Sequence, residues 1–233
     1  IDVLRQWAGN GSRAAKIFLR GSLDADLDEF AALREAVPEI RWWAADALWS
    51  YEDAATAHRA KAAFGSLDAQ WLECPMLPED LAGHAALRRQ PGARIALGEH
   101  FRTDLQVLPW LDAEALDVLQ PDIGRTGFVM GGRIGAAAAR RGIAVTPHMG
   151  GALDVMQAAT LHFASACASP LPCEYQRGLA QRMHPAIESH WMLGARGFEA
   201  VRLARSSQAS PGLIGRHHQQ HDQVRHQAVG GER

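Results

Sequence analysis

The chain has 233 residues, of which 47% are apolar and 21% charged, with a formal net charge of −2. This composition describes a soluble domain that can bury a large core, and the near-neutral balance argues against nucleic acid as the main partner. There is no run near the roughly 18 apolar residues of a membrane span and no signal-peptide pattern, and the three cysteines, Cys74, Cys167 and Cys173, are too few and irregular for a disulfide framework, so a cytoplasmic protein without a membrane partner is expected.

Residues 1–9 read as the end of an amphipathic helix (Ile1, Val3, Leu4, Trp7) closed by Gly9-Asn10-Gly11, and Ala15 to Leu19 as a strand. The chain opens inside that helix without a Met, so an N-terminal truncation is expected, with at least one strand upstream. A helix from Ala25 to Val37 follows, with Leu27, Phe30, Leu33 and Val37 at helical spacing and Pro38 as its stop. Ile40 to Ala45 is an apolar run ending at Asp46, and Tyr51 to Phe64 an Ala-rich helix. Gln70 to Leu72 leads into Glu73, Pro78 to Arg89 is helical, and Pro91-Gly92 breaks the chain before Ile95 to Gly98 leads into Glu99.

Thr103 to Ala115 is predicted helical with an interruption at Pro109, Val118 to Pro121 leads into Asp122, and Gly127 to Arg141 forms a helix rich in small residues. Ile143 to Pro147 ends at His148, a helix runs from Asp154 to Ala168, and Leu171 to Cys173 ends at Glu174. Beyond Gly178 the pattern fades. The expectation is a barrel-type domain over 1–178 and a C-terminal extension over 179–233, partly disordered, whose His217, His218, His221 and His226 match no standard metal spacing.

Asp46, Glu73, Glu99, Asp122, His148 and Glu174 are separated by 27, 26, 23, 26 and 26 residues, and each closes a short apolar run. Strands alternating with helices predict a parallel sheet with crossover helices. A solenoid shares such a period, but here the likeness between repeats stops at the strand-end polar group. The predicted fold is therefore α/β, a TIM-type (β/α) barrel of seven strands from Ala15 to Glu174, one short of closure, and its strand ends converge on one mouth.

Asp46, Glu73 and Glu99 end three successive strands and are all hard oxygen donors. Three converging carboxylates without Cys or His select Mg²⁺, with Mn²⁺ as an alternative, and unpaired they would repel one another. Asp122 and His148 end the next two strands, so the carboxylate can fix the imidazole tautomer and raise the basicity of its other nitrogen. Glu174, across the mouth, is open to two readings: an acid or donor to a developing oxyanion, or a structural residue.

From about Ala14 to Gln176 the chain resembles the enolase superfamily, in its mandelate racemase/muconate lactonizing enzyme branch. Trp71-Leu72-Glu73-Cys74-Pro75 is similar to that family's Trp-Ile-Glu-Glu-Pro strand end, Ala96-Leu97-Gly98-Glu99-His100 to its Gly-Glu strand end, and Gln120-Pro121-Asp122 with Thr146-Pro147-His148 to its Asp-His segments. The resemblance implies Mg²⁺ held by Asp46, Glu73 and Glu99, a substrate carboxylate bound to that ion, and α-proton abstraction by His148 oriented by Asp122. It also implies a missing first strand and a missing α+β capping domain, and a homo-oligomer for the full-length form. In place of the family's Lys-x-Lys pair the chain offers Lys16, expected to be catalytic, and Arg20, which with His100 is expected to bind substrate; Asp46-Ala47-Leu48 replaces an Asp-x-Asn.

With no second lysine, one-base dehydration of a sugar acid to a 2-keto-3-deoxy acid, a step of carbohydrate acid catabolism, is the leading expectation. A racemase, epimerase or cycloisomerase is the alternative, and a non-catalytic remnant a further one.

Overall fold

The computed structural model describes residues 1–151, 154–167, 169, 171–176, 191–194 and 197–200. The tail histidines and most of the expected extension lie outside the described residues. Helix α1 (Asp2–Gly9) precedes six strand-helix units: β1 (Ala14–Phe18), α2 (Leu23–Ala36), β2 (Trp42–Asp46), α3 (Ala54–Ser66), β3 (Trp71–Glu73), α4 (Leu81–Arg88), β4 (Arg94–Leu97), α5 (Asp104–Asp112), β5 (Val118–Leu119), α6 (Ile123–Ala139), β6 (Ala144–Val145) and α7 (Asp154–Ala166). The six strands form one parallel sheet in sequence order, the winding of a (β/α) barrel. β7 (Trp191–Gly194) and β8 (Gly197–Ala200) form a separate antiparallel pair.

Period-two alternation sorts the strand residues into two layers. Ala44, Trp71, Ala96 and Val118 form an inner cluster, against which Trp42 and Leu171 pack. Trp43, Ala45, Leu72, Ile95, Leu97 and Leu119 belong to the outer core beneath the helices. There Phe30 of α2 meets Trp43 and Phe64 edge-on, with ring centroids 6.0 and 5.2 Å apart. Asp46 and Glu73 share the inward parity of Ala44 and Trp71, and Gln120 that of Val118, so the same alternation that builds the core delivers these polar groups to the interior.

Aspartates set several helix starts. Asp53 accepts from the Thr56 N–H (2.8 Å), Asp80 from Gly83 (2.8 Å) and Asp122 from Arg125 (3.2 Å), satisfying N–H groups that a helix leaves orphaned. These caps move the expected helix starts: α3 begins at Ala54 rather than Tyr51, α4 at Leu81 rather than Pro78, and α6 at Ile123 rather than Gly127, whose φ of 66° instead breaks α6 from within. Pro109 sits inside α5 without ending it.

The predicted seventh strand does not form; residues 171–176 carry no strand pairing. Pro172 has no N–H to give to a ladder, and Thr146 Oγ1 instead donates to its carbonyl at 2.9 Å.

Glu99 has the wrong parity to face inward by alternation alone. Gly98 corrects this with a φ of 139°, and a Cβ there would stand 2.9 Å from both Gln120 N and Leu119 Cδ1. Gly98→Ala is therefore expected to cost about 2 to 4 kcal/mol in urea denaturation, through backbone strain and overpacking together. Gly9→Ala, where nothing lies within 4 Å of the added Cβ, should be neutral or stabilise by up to about 1 kcal/mol.

Candidate active site

Asp46 and Glu73 end β2 and β3 as direct register partners. The Lys16 ammonium, reaching in from β1, lies 3.0 Å from Asp46 Oδ2, 2.7 Å from Glu73 Oε1 and 3.0 Å from Glu174 Oε1. On the other side of the mouth Asp122 and His148 are joined by a parallel β-bridge, and His148 Nδ1 is 2.9 Å from Asp122 Oδ2. His148 Nε2 lies 2.8 Å from Glu99 Oε2 and 3.9 Å from Glu174 Oε2. Glu174 also accepts the Met149 N–H at 2.9 Å, which secures it without a strand. Lys16, Asp46, Glu73, Glu99, Asp122, His148 and Glu174 thus form one connected cluster.

Arg20 and His100, expected as substrate contacts, lie apart from it. The N–H groups of Arg20 and Gly21 donate to the buried Asp26 at 2.9 and 3.0 Å, which turns the chain into α2 and sends the Arg20 guanidinium to Glu29 in solvent. The position two beyond Lys16 on the same strand face holds Phe18, 52% exposed, its ring centroid 5.3 Å from Lys16 Nζ. The His100 ring packs on Phe101 (4.1 Å), with Trp110 and Trp49 farther off at 6.2 and 6.4 Å. Neither of its ring nitrogens has a hydrogen-bond partner among the described residues, and burial lowers its pKa to about 4.

Two groups that sequence reasoning missed complete the cluster. Trp71 Nε1 and Gln120 Nε2 both donate to Glu73 Oε2, at 3.0 and 2.8 Å. Their signal was alternation: Trp71 lies two residues before Glu73 and Gln120 two before Asp122, on the same faces.

Burial is the largest single influence on each of these groups, but it decides the direction only for Glu73. It raises the Glu73 carboxyl from its usual 4.5 to about 7, against the pull of Lys16 and with the push of Asp46 and Glu174. Burial works to lower Lys16, yet Glu73, Asp46 and Glu174 together hold its ammonium well above its ordinary value. For His148, too, burial favours the neutral ring, but hydrogen bonds to Asp122 and Glu99 and the charge of Glu174 outweigh it and raise the imidazolium to about 10. Glu99 and Asp122 are pushed up by burial and brought below the usual carboxylate range by His148.

The donor chemistry fits a hard divalent cation: Asp46, Glu73 and Glu99 offer only oxygen, and the five carboxylates of the cluster outnumber its two cationic side chains. Among the described residues, however, no three side chains are set as a preformed cage. Asp46 and Glu73 turn to Lys16 while Glu99 turns to His148, because carboxylates brought together relax onto whatever positive charge is nearest.

Because Glu73 binds its proton more tightly folded than unfolded, its contribution to stability is present below about pH 4.5 and is lost as pH rises through about 7. Urea denaturation in EDTA between about pH 5 and about pH 8 should therefore show a flatter loss of stability for Glu73→Gln than for the parent chain, whatever constant offset the substitution brings.

A sequence model of the family described as "Enolase C-terminal domain-like" matches residues 2–211. D-galactarolactone cycloisomerase of Agrobacterium fabrum (strain C58) is 33% identical over 159 residues, spanning 67% of this chain and 41% of that protein. L-rhamnonate dehydratase of Saccharopolyspora erythraea is 30% identical over 129 residues, spanning 54% of this chain and 33% of its own length. The crystal structure of a racemase from Streptomyces coelicolor A3(2) with bound magnesium superposes with a TM-score of 0.61 at 28% identity, covering 68% of this chain and 48% of that one. The chain spans less than half the length of each of these relatives. The strand-end acids, the parallel winding and a family match over most of the length agree: this chain belongs to the enolase superfamily, among its mandelate racemase-type members.

Proposed function

We propose that this chain carries the chemistry of a Mg²⁺-dependent hydro-lyase that removes the proton next to the carboxylate of a sugar acid and expels water to give a 2-keto-3-deoxy acid. The observation that carries this reading is the Asp122–His148 pair: Asp122 Oδ2 on Nδ1 at 2.9 Å fixes the imidazole and leaves Nε2 pointing into the cluster. The other cation, Lys16, is held charged by three carboxylates and cannot take a proton.

Asp46, Glu73 and Glu99 are the residues that would hold Mg²⁺. When bound, the ion supplies positive charge to a substrate carboxylate that becomes more negative as its α-proton leaves. His148 must be neutral to take that proton. The Glu99 oxygen that now holds the Nε2 proton is one that a cation would claim, so engagement of Glu99 removes one of the anions that raise the imidazole.

With the α-proton on Nε2, His148 hands it to the leaving β-hydroxyl, which departs as water while the C–C double bond forms; the product enol then ketonises. One group serving as base and then as acid on one face suits elimination. Lys16 orients Asp46, Glu73 and Glu174 and offers its charge to the substrate carboxylate.

Cycloisomerisation is the second reading, supported by the 33% identity to D-galactarolactone cycloisomerase; it begins with the same proton abstraction but expels a ring oxygen. A panel of aldonic and aldaric acids and their lactones, incubated with Mg²⁺ and assayed for 2-keto acids, tests the choice. Keto-acid formation from an open-chain acid supports dehydration, keto-acid formation from a lactone but not from the open-chain acid supports cycloisomerisation, and deuterium wash-in without keto acid from either points to racemisation. His148→Asn is expected to lower kcat by about 10²- to 10⁴-fold while Mg²⁺ affinity, measured by calorimetry, is kept or rises, because the imidazolium no longer competes for Glu99. Substantial turnover in that variant removes His148 from the mechanism.

A further inference from the structure

Each carboxylate of the cluster for which both oxygens have partners divides them in the same way. Asp46 gives Oδ1 to the Leu48 N–H at 3.0 Å and Oδ2 to Lys16 at 3.0 Å. Asp122 gives Oδ1 to the Arg125 N–H at 3.2 Å and Oδ2 to His148 at 2.9 Å. Glu174 gives Oε2 to the Met149 N–H at 2.9 Å and Oε1 to Lys16 at 3.0 Å. One oxygen is tied to a neutral N–H and the other is presented to the nearest cation, with Glu174 Oε2 in addition 3.9 Å from His148 Nε2.

Glu73 carries this furthest, because two donors rather than one hold its tied oxygen. Trp71 Nε1 at 3.0 Å and Gln120 Nε2 at 2.8 Å both point at Oε2, which fills the two lone-pair directions of that atom. Lys16 takes Oε1 at 2.7 Å. Glu73, Trp71 and Gln120 are 1%, 4% and 2% exposed, so no water shell competes for these bonds. Oε2 cannot turn to a cation without leaving two buried donors unpaired, a loss of roughly 1–3 kcal/mol for each.

We propose that Trp71 and Gln120 are positioning residues that confine Glu73 to a single oxygen toward the metal and thereby set the preference of the site for Mg²⁺ over Ca²⁺. The proposal rests on the reading of Asp46, Glu73 and Glu99 as metal ligands. Mg²⁺ is small and takes carboxylates through one oxygen in a tight octahedron, whereas Ca²⁺ takes six to eight oxygens and gains from carboxylates that offer both. A carboxylate with one oxygen locked suits the first ion and starves the second. Freeing Oε2 restores the second oxygen and with it the larger ion.

The test is the ratio of Mg²⁺ to Ca²⁺ affinity, measured by calorimetry on the parent chain, Gln120→Leu and Trp71→Phe, with circular dichroism to report folding. The parent is expected to prefer Mg²⁺. Each variant should bind Mg²⁺ about 10- to 100-fold more weakly, the usual effect of losing a partner of a ligating group, while Ca²⁺ affinity holds or rises, so that the ratio collapses. General loosening of the fold would weaken both ions together and leave the ratio in place. A folded variant that keeps the parental ratio overturns the proposal; if Gln120→Leu does not fold, Gln120→Met, which keeps the length of the side chain and removes its amide N–H, gives the deciding ratio. A parent chain that binds neither ion refutes the metal-ligand reading, and the proposal falls with it.

Discussion

Five carboxylates in one mouth repel one another, and that repulsion is the constraint that the rest of the site is arranged to satisfy. Lys16 and His148 supply the positive charge, and neutral N–H groups from Leu48, Met149, Arg125, Trp71 and Gln120 supply the remainder. Burial makes the problem harder, since Glu73 at 1% exposure has no water to share its charge. The raised Glu73 carboxyl and the raised Lys16 ammonium are two views of this one balance.

The backbone around the mouth is bent to meet the same demand. Leu48 and Trp49, one residue beyond the end of β2, have φ of 50° and 57°, and Cys74, directly after Glu73, has φ of 44°. Left-handed conformations in residues with side chains are costly and persist where the surroundings over-determine them. Here they do, since the turn lets the Leu48 N–H reach Asp46 Oδ1 at 3.0 Å and the Trp49 N–H reach the Cys74 carbonyl at 2.7 Å. The ends of β2 and β3, where Asp46 and Glu73 are register partners, are thereby tied to each other.

The two halves of the cluster have different characters. On the β1–β3 side Lys16, Asp46 and Glu73 form a tight ion cluster around one ammonium. On the β4–β6 side Glu99, His148 and Asp122 form a line in which a carboxylate meets each nitrogen of the imidazole. Glu174 lies near both, at 3.0 Å from Lys16 and 3.9 Å from His148, and so joins the lysine half to the histidine half.

The strand-end spacing and the alternation of apolar residues were enough by themselves to determine the parallel strand-helix winding and to bring Asp46, Glu73, Asp122 and His148 to one mouth, because both rest on the local period of a strand. Glu99 was found by the same spacing, although its parity is wrong; only the folded chain shows Gly98 turning it inward. Glu174 was read as ending a strand, yet it arrives on a segment held by Thr146 and Met149. Arg20 was drawn off by Asp26 and Glu29, and His100 by aromatic packing, neither of which lies in the local pattern of its own strand. The tertiary structure alone decided which oxygen of each carboxylate meets which donor, because these partners stand as far apart along the chain as Lys16 and Glu174 and their pairing follows from how neighbouring strands stack, an outcome of global packing that a period of two residues does not encode.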